Sequence, residues 1–589
     1  MRNARHLGAI LGVAAVAVLL ATRPASAAVY YCAAGDQNCL SLSINLSNFT
    51  LEADVIYLAA GTYTLPWTCC GDLYGWNGLP PVTGQLTIFG AGRDATVIQR
   101  DPNTIQFRIF EVGSSGNLTL EDLTVRGGLS QGDVGIPSYG GEGILSFGRL
   151  TLNGVAVRDN ALVNSTGVGA GIRNDASGSL VMVNSIVSGN TEDGRSAIGG
   201  MPVPGGAGIW SDGYLSISLS SVTGNWTSLG GKGAGIVTRG SAAISTSTIS
   251  GNAAGDAAGG GIYAEGTLDI RDSSISRNTA GGFFDPSNPN GGGGIAAAGH
   301  VTINNTTISG NTADVTSAGG GILVAPGGSL ILNHSTVSDN RAWSNGGGGI
   351  NNDGGTVQIQ NSILARNVEE DGSGPDCSGS IGSQGHNVIG DLTGCHLTPL
   401  ASDHVGDAGL GTFTDDGAPG HGYIPLLAAS FAIDGADPAT SLLHDQLLRS
   451  LVDGNADGIV TADIGAAEFK APVVNALVSL NTSKSTLSPT PVKGGPAGTL
   501  TIAATLTNVS GEPIYAPYLI LRSVSGGALN LTADQPPGGA GSQQTPKVGS
   551  DHTLTPGERV SFTITFGLQE FRKPSFAFDV LGGAGATTP

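Results

Sequence analysis

A repeating pattern of apolar and polar positions runs from residue 117 to residue 367. Each copy has a Gly cluster ending in Ile, an apolar-x-apolar pair, an aliphatic residue five positions later, and usually Asn three positions after that. In one copy these positions are Ile262, Leu268, Ile270, Ile275 and Asn278. Apolar residues that alternate with polar ones over short segments indicate β-strands with one buried face. The pattern therefore predicts three short strands per copy.

The spacing of the copies favours a solenoid over other repeat folds. Measured from Asn to Asn, the copies are 26 to 35 residues long, which is too irregular for propeller blades. They also lack the helical periodicity of ankyrin or tetratricopeptide units. A chain that makes three short strands per turn and stacks each turn on the previous one is a parallel β-helix, with rungs about 4.8 Å apart. We therefore predict an all-β solenoid whose Ile, Leu and Val side chains point inward.

The recurring Asn is expected to form a ladder along the solenoid. An Asn side chain that bonds to the Asn one rung away satisfies amide groups that would be costly to bury without partners. Eight residues close the copies in this way: Asn160, Asn190, Asn225, Asn252, Asn278, Asn311, Asn340 and Asn367.

Length variation is concentrated in one part of each copy. From the Ile after the Gly cluster to the closing Asn the separation is 16 to 18 residues, whereas from that Asn to the next such Ile it is 10 to 19. All insertions are therefore predicted on one edge of the solenoid, where repeat proteins often place binding surfaces. Neutral drift in a solvent-exposed turn explains the same variation equally well.

Several motifs resemble known right-handed β-helices. Residues 54–63 (DVIYLAAGTY) and 86–92 (LTIFGAG) resemble the opening rungs of the pectate-lyase-like superfamily, and the Gly-Gly-x-Ile and Ser-x-x-x-x-Asn repeats resemble those of chlamydial polymorphic outer-membrane proteins. Residues 361–469 resemble the choice-of-anchor type of secreted bacterial β-helix protein. The motifs that carry this last resemblance are NSIL at 361, DCSG at 376, GHNVIG at 385, IPLL at 424, AIDG at 432 and DIGAAE at 463.

This resemblance implies a domain organisation and a location. Residues 28–469 are expected to form the right-handed parallel β-helix, with a C-terminal cap at about 361–469, and the protein is expected to be extracellular. After residue 470 the chain changes to Pro-punctuated strands, predicted at 473–480, 500–508, 518–524, 560–566 and 576–580. The turn LTPGE at 554–558 resembles that of small immunoglobulin-like modules, so residues 470–589 are predicted to be an immunoglobulin-like β-sandwich.

The composition and the N-terminal residues restrict the classes of binding partner and the cellular location that can be expected. With 26 basic and 46 acidic residues the net charge is −20, which disfavours nucleic acid and anionic membrane surfaces and leaves cations and neutral glycans. A basic start, the apolar run 7–21 and the small residues up to Ala27 predict a signal peptide at 1–27. No later segment is long and apolar enough to span a membrane.

Export favours paired cysteines over metal-bound ones. Proximity in the sequence predicts the disulfides Cys32–Cys39 and Cys377–Cys395. Whether the adjacent residues Cys69 and Cys70 bridge each other or pair elsewhere is left open.

No complete catalytic constellation is visible, so catalysis is not expected and no cofactor is required. A polysaccharide lyase needs a strong base beside acidic groups that hold Ca²⁺, but Lys232 is the sole lysine between residues 28 and 469. The mixed charges of Asp269, Arg271 and Asp272 fit a solvated strand face better.

One segment resembles the beginning of a calcium loop. Asp453, Asn455 and Asp457 alternate, and Gly458 stands at the sixth position, where such loops turn. The twelfth position is Ile464 instead of an acidic residue, although Asp463 is adjacent. We predict a looser structural calcium site formed by Asp453, Asn455, Asp457 and Asp463, with an ordinary Asx-turn as the alternative.

Five aromatic residues gather near the variable edge: Trp210, Trp226, Phe283, Phe284 and Trp343. Exposed there, they would stack on sugar rings. Folded back, they would instead cover the coil. Together these features predict a secreted or cell-surface, non-catalytic protein for adhesion or binding of an extracellular glycan or surface protein. A polysaccharide lyase or hydrolase of the pectate-lyase-like superfamily is the alternative, and a structural spacer is a third.

Overall fold

The computed structural model describes residues 27–131, 139–163, 167–193, 205–228, 231–255, 258–281, 291–314, 317–343, 346–428, 430–440, 442–454, 459–534, 538–549 and 552–584. The signal peptide predicted at 1–27 therefore lies almost entirely outside the described residues. No helix in the described part of the chain is long and apolar enough to cross a membrane.

The chain up to residue 405 is a right-handed parallel β-helix. Each complete coil has four short strands, so the prediction of three was wrong. In one coil they are Ile262–Ala264, Thr267–Arg271, Ser274–Ser276 and Thr279–Gly281. The fourth strand follows the closing Asn, and its inward residue is the small Ala280, which gives no clear apolar alternation. We number the four parallel sheets 1 to 4 in this chain order.

The strands of each sheet are listed here in chain order. Sheet 1 contains Phe110–Val112, Ile144–Ser146, Ile172–Asn174, Ile209–Ser211, Ile236–Thr238, Ile262–Ala264, Ile295–Ala297, Ile322–Val324, Ile350–Asn352, Cys377–Ser380 and Cys395–His396. Sheet 2 contains Val29–Cys32, Ala53–Leu58, Gln85–Phe89, Asn117–Glu121, Arg149–Asn153, Ser179–Val183, Tyr214–Ser218, Ser241–Ser245, Thr267–Arg271, His300–Asn304, Ser329–Asn333, Thr356–Gln360 and Gly382–Ser383. Sheet 3 contains Gly61–Leu65, Thr96–Arg100, Thr124–Arg126, Ala156–Arg158, Ile186–Ser188, Ser221–Thr223, Thr248–Ser250, Ser274–Ser276, Thr307–Ser309, Thr336–Ser338, Ile363–Ala365, Val388–Ile389 and His404–Val405. Sheet 4 contains Leu129–Gln131, Ala161–Val163, Thr191–Asp193, Trp226–Thr227, Ala253–Gly255, Thr279–Gly281, Thr312–Ala313, Arg341–Ala342 and Val368–Glu369.

The interior of the coil is the aliphatic stack that the repeat predicts. Ile262, Leu268, Ile270 and Ile275 are each at most 1 % exposed, and their counterparts in neighbouring coils form one continuous core. The segments of variable length all connect sheet 4 to sheet 1 of the next coil, so the prediction of a single variable edge is confirmed.

An α-helix, Gln37–Ser47, lies at the N-terminal end of the β-helix. Asp36 begins it as the N-cap, because its side chain accepts a hydrogen bond from the Cys39 main-chain N–H at 3.0 Å. Leu40 and Ile44 are fully buried in the common core. The helix therefore covers the apolar end that the first coil would otherwise expose.

The predicted Asn ladder is confirmed. Asn252 donates its main-chain N–H and its Nδ2–H to Oδ1 of Asn278, at 3.0 and 2.9 Å. Asn278 makes the same pair of bonds to Asn311, both at 3.0 Å. These side chains are fully buried, so the ladder satisfies amide groups that have no access to water.

A second ladder of hydroxyl groups runs parallel to the first. The main-chain N–H of Ser247 donates to Oγ of Ser273 on the next rung at 3.2 Å, and Ser273 Oγ donates to its own strand at the Arg271 carbonyl at 2.7 Å. Each member stands five residues before a ladder Asn. The members that accept such an N–H bond from the preceding rung are Ser185, Ser220, Ser247, Ser273, Thr306, Ser335 and Ser362.

We call residues 406–469 the strap; its described residues run back along the outer face of sheet 3. Gly420 N–H donates to Thr248 Oγ1 at 2.9 Å, and Ala466 N–H donates to Thr336 Oγ1 at 3.1 Å. Of the region predicted as a C-terminal cap, residues 361–405 do form the last coils. The strap, however, lies along the side of the solenoid, because outward hydroxyl groups of sheet 3 bond to it.

The C-terminal region forms two antiparallel sheets that pack as a small β-sandwich. The first predicted strand was placed about five residues too early, because residues 475–477 make a turn. One sheet contains Val478–Ser488, Thr499–Asn508, Arg559–Gly567 and Leu529–Asn530, and the other contains Gln543–Gln544, Ile514–Val524, Thr553–Leu554 and Phe576–Ala584.

Both predicted disulfides are present, Cys32–Cys39 and Cys377–Cys395. The pairing left open is also settled, since Cys69 is bonded to Cys70. A short hairpin of Cys70–Asp72 and Gly75–Asn77 follows this bridge.

Candidate functional site

The outer face of sheet 4 carries a row of small residues bounded by two tryptophans. The outward positions align across the rungs as Trp226, Ala253, Thr279, Thr312 and Arg341. Trp343 follows Arg341 by two residues and so belongs to the same face. We call these six residues the sheet 4 strip. Four rungs separate Trp226 from Arg341, which corresponds to about 19 Å at the usual rung spacing.

The two ends of the strip expose aromatic rings to solvent. Trp226 is 43 % exposed and Trp343 is 47 % exposed. The guanidinium of Arg341 lies 5.6 Å from the ring centre of Trp343 and forms an ion pair with Glu370 at 2.6 Å. The inward neighbours Ala280 and Ala313 are fully buried, so the strip is a shallow surface on a rigid sheet.

The other aromatic residues of the prediction have different positions. Trp210 lies on sheet 1 and is 8 % exposed, packed with Val237 and Tyr263, so its ring covers the coil and has no free face. Phe283 and Phe284 lie outside the described residues.

A cluster of charged side chains borders the outer face of sheet 1. Lys232 Nζ donates to the Tyr263 hydroxyl at 2.8 Å and lies 3.6 Å from a Glu265 carboxylate oxygen. Arg239 pairs with Glu265 at 2.8 Å and with Asp212 at 3.5 Å. The sole lysine of the β-helix is therefore engaged in a network of alternating charges. By contrast, Arg271 pairs with Asp269 on the exposed face of sheet 2.

A pocket of about 480 Å³ lies at the N-terminal end of sheet 4. The pocket is not among the features predicted above, although the sequence holds one signal for it. Arg100 stands in register with the buried Leu65, at an inward position where the pattern calls for an apolar residue. Its other lining residues include Tyr74, Trp76, Phe107, Arg108, Leu129, Gln131 and Glu142.

The two arginines of this pocket have different partners. Arg108 bonds to Asn77 Oδ1 at 3.1 Å and forms an ion pair with Glu111 at 3.5 Å. Burial raises the pKa of the Glu111 carboxyl, an effect that Asn77 and Arg108 oppose. Arg100 bonds only to main-chain carbonyl groups, as described below.

The predicted calcium site is only partly described, since Asn455 and Asp457 lie outside the described residues. Asp453 and Asp463 are both buried. Asp463 Oδ1 accepts the main-chain N–H of Asp434 at 2.7 Å, and burial together with the Glu468 charge raises the Asp463 pKa well above its ordinary value. Among the described residues no group of three or more His, Cys, Asp or Glu side chains is placed to hold a metal ion. The calcium site stays a prediction.

Comparison with protein families finds no matching family model, and comparison with curated proteins finds no match. Among solved structures, the A-module of Azotobacter vinelandii mannuronan C-5 epimerase AlgE6 is similar at 15 % identity and a TM-score of 0.38, covering 63 % of this chain and 94 % of its own. The AlgE4 A-module of the same organism is similar at 14 % identity and a TM-score of 0.35, covering 64 % and 97 %. The Dettilon tailspike protein is similar at 10 % identity and a TM-score of 0.23, covering 93 % and 94 %. Each of these three TM-scores is below 0.5, so these similarities carry no conclusion about function.

Proposed function

We propose that this protein is a non-catalytic, extracellular glycan-binding β-helix and that the sheet 4 strip is its binding surface. The observation that carries the proposal is the pair of exposed rings, Trp226 and Trp343, at either end of a shallow row of small residues. Aromatic faces bind the apolar faces of sugar rings, and a flat row between them accommodates an extended chain without steric conflict. The predicted signal peptide and the three disulfides support an extracellular location.

The regular spacing of the strip also supports an extended, repetitive ligand. Successive rungs repeat every ~4.8 Å, so equivalent groups recur along the strip at a fixed interval. The outward hydroxyls of Thr279 and Thr312 offer hydrogen bonds on neighbouring rungs. A net charge of −20 favours a chain that is neutral along most of its length.

The test is a binding assay with the mature protein and four neutral polysaccharides: cellulose, xylan, mannan and chitin. Trp226→Ala and Trp343→Ala are each expected to weaken binding to the retained polysaccharide about tenfold, or ~1.4 kcal/mol. Trp67→Ala is the matched control, since Trp67 is 61 % exposed and lies outside the strip. Unchanged binding in both strip variants would remove the strip from the proposal.

The charged cluster on sheet 1 favours the alternative, a polysaccharide-active enzyme. A lysine beside a tyrosine hydroxyl and a carboxylate is a set of groups able to move protons, and Lys232, Tyr263 and Glu265 form such a set. This alternative predicts reducing ends or unsaturated products from the polysaccharide, and it predicts their loss in Lys232→Met and Tyr263→Phe. Intact polysaccharide after incubation supports the non-catalytic proposal. If no glycan binds at all, the remaining interpretation is a structural spacer.

A further inference from the structure

The pocket lies at the N-terminal edge of sheet 4 and borders the outer face that carries the sheet 4 strip. Its lining includes Leu129 and Gln131, which belong to the first strand of sheet 4. From Leu129 the outward positions align as Ala161, Thr191 and Trp226 on the next three rungs, a distance of about 14 Å. The pocket and the strip are therefore connected by outward positions of one sheet.

Arg100 is a buried guanidinium whose hydrogen bonds are all to neutral groups. Its Nε donates to the Gly127 carbonyl at 2.9 Å, and Nη1 donates to the carbonyls of Asp101 and Thr104 at 3.0 and 3.1 Å. The residue is 9 % exposed, and none of the ion pairs among the described residues includes it. Nη2 takes part in none of these bonds, so the guanidinium still has donors to offer.

The lining of the pocket is rich in basic groups for a chain that is strongly negative overall. It contains two guanidinium groups, Arg100 and Arg108, and one carboxylate, Glu142. Arg108 is already paired with Glu111. Burial lowers the pKa of Arg100, and the charge of the nearby Asp101 carboxylate opposes this without forming an ion pair. A carboxylate on a ligand would give Arg100 a direct ion pair, in the planar geometry that guanidinium groups recognise.

The remaining walls fit a sugar ring. Tyr74, Trp76 and Phe107 line the pocket, and Trp76 is 46 % exposed, so it has a surface available for stacking. A volume of about 480 Å³ lies in the range of small-molecule sites.

We propose that this pocket binds the terminal sugar of a glycan through a carboxylate on that sugar, with Arg100 as its charged partner and Trp76 as its stacking ring. The proposal rests on the proposed function, in which the remainder of the glycan lies on the sheet 4 strip. Its own ligand is a single acidic sugar, so it is tested separately from the strip.

The test is isothermal titration of the mature protein with glucuronate, galacturonate and N-acetylneuraminate, and with glucose and galactose as neutral partners of the two uronates. At least one acidic sugar is expected to bind at least tenfold more tightly than the neutral sugars. Binding of that sugar should weaken at least tenfold in Arg100→Gln. Equal affinity for acidic and neutral sugars, or no binding of any of the five, would overturn the proposal.

Because Arg100 also bonds to main-chain carbonyls, its replacement could disturb the fold. A second variant therefore keeps Arg100 and changes the charge of the pocket at another position. Gln106→Glu places a negative charge in the lining and retains the acceptor that bonds to the Gln131 main-chain N–H. It is expected to weaken binding of the acidic sugar at least tenfold. Gln358→Glu, an exposed position on sheet 2, is the matched control and should leave binding unchanged.

The two proposals fail in distinguishable ways. Retention of neutral polysaccharide without binding of any acidic monosaccharide would remove the pocket proposal and leave the strip. Binding of the acidic sugar that persists in Trp226→Ala, a strip variant, supports the pocket as an independent site. Loss of that binding in Trp226→Ala, with the fold intact, would contradict it.

Discussion

Asn367 donates both its main-chain N–H and its Nδ2–H to a single oxygen, Oδ1 of Asp376, at 3.0 and 2.8 Å. The Asp376 carboxylate thus takes the place of the side-chain oxygen that a ninth ladder Asn would provide. An ionised carboxylate accepts hydrogen bonds and donates none, so the ladder ends there without a donor left over. The other oxygen, Oδ2, accepts the main-chain N–H of Asp391 at 2.8 Å.

Removing one Asn side chain from the middle of the ladder should lower the free energy of unfolding more than removing an exposed Asn side chain. Asn278→Ala leaves two buried donors of Asn252 without an acceptor, which costs roughly 2–5 kcal/mol of unfolding free energy. Asn153→Ala, at an exposed position of sheet 2, is the control and should change stability little. Urea unfolding of both variants measures the difference. Equal effects would show that the hydrogen bonds of the ladder contribute no measurable stability.

Asp376 should make stability depend on pH. Burial raises its pKa from 3.8 to about 6, against the hydrogen bonds from Asn367 and Asp391. Because the folded protein holds this proton more tightly than the unfolded chain, the contribution to stability is full below pH 4 and is lost as pH rises through about 6. The shift corresponds to about 3 kcal/mol.

The variant Asp376→Asn removes this titration. Asn keeps an acceptor for both donors of Asn367, but its Nδ2 faces the Asp391 N–H and costs roughly 1–3 kcal/mol at every pH. Relative to the unsubstituted protein, the variant is therefore expected to gain about 3 kcal/mol between pH 4 and pH 7. Urea unfolding across that range measures the change, with the exposed Asp353→Asn as control. A difference that does not change with pH would contradict the assignment to Asp376.

The strap should loosen independently of the coils. Gln446 is 1 % exposed; its Nε2 donates to the carbonyls of Gly420 and Gly422 at 2.7 and 2.8 Å, and its Oε1 accepts from Thr307 Oγ1 at 2.6 Å. Gln446→Leu removes these bonds and leaves their buried partners without them. Hydrogen exchange is expected to speed up about tenfold or more within 406–469 and to stay unchanged in sheets 1 and 2. The exposed Gln384→Leu should have no effect, and equal acceleration throughout the solenoid would show that the strap is not a separate unit.

The sequence predicts this fold well where large apolar residues alternate clearly with polar ones. Ile270 and Ile275 alternate with polar residues, so their burial follows from the sequence pattern alone. The fourth strand has Ala280 at its inward position, and an alanine does not distinguish a buried face from a turn. The sequence also contains a sign of the hydroxyl ladder, because a Ser such as Ser273 stands five residues before a ladder Asn such as Asn278. Ser is equally common in exposed turns, however, so this spacing alone does not predict a ladder.

The candidate site was less predictable, because covering of an outer face depends on contacts distant in sequence. Trp210 and Trp226 both lie close to the variable edge. Trp210 faces outward from sheet 1 and is covered, whereas Trp226 faces outward from sheet 4 and is exposed. Similarly, the bond from Gly420 to Thr248 joins residues 172 positions apart, and no local pattern indicates it.

A last prediction concerns the corner between sheets 2 and 3, where the backbone is left-handed. Leu219 has φ of +50° at this corner, and Asn184 and Asn305 occupy the same corner in other coils at +47° and +52°. A left-handed conformation costs an ordinary side chain roughly 1–2 kcal/mol, and Asn tolerates it better. Leu219 is 49 % exposed, so little burial is lost when it is replaced.

Leu219→Asn is therefore expected to stabilise the protein by about 1 kcal/mol, less the small loss of apolar burial. Leu443→Asn is the matched control, because Leu443 is 90 % exposed and is not among the residues with positive φ. Urea unfolding at one pH measures both variants. If Leu219→Asn were no more stable than the control, backbone strain at this corner would be too small to matter, and the preference for Asn there would have to come from its side-chain hydrogen bonds instead.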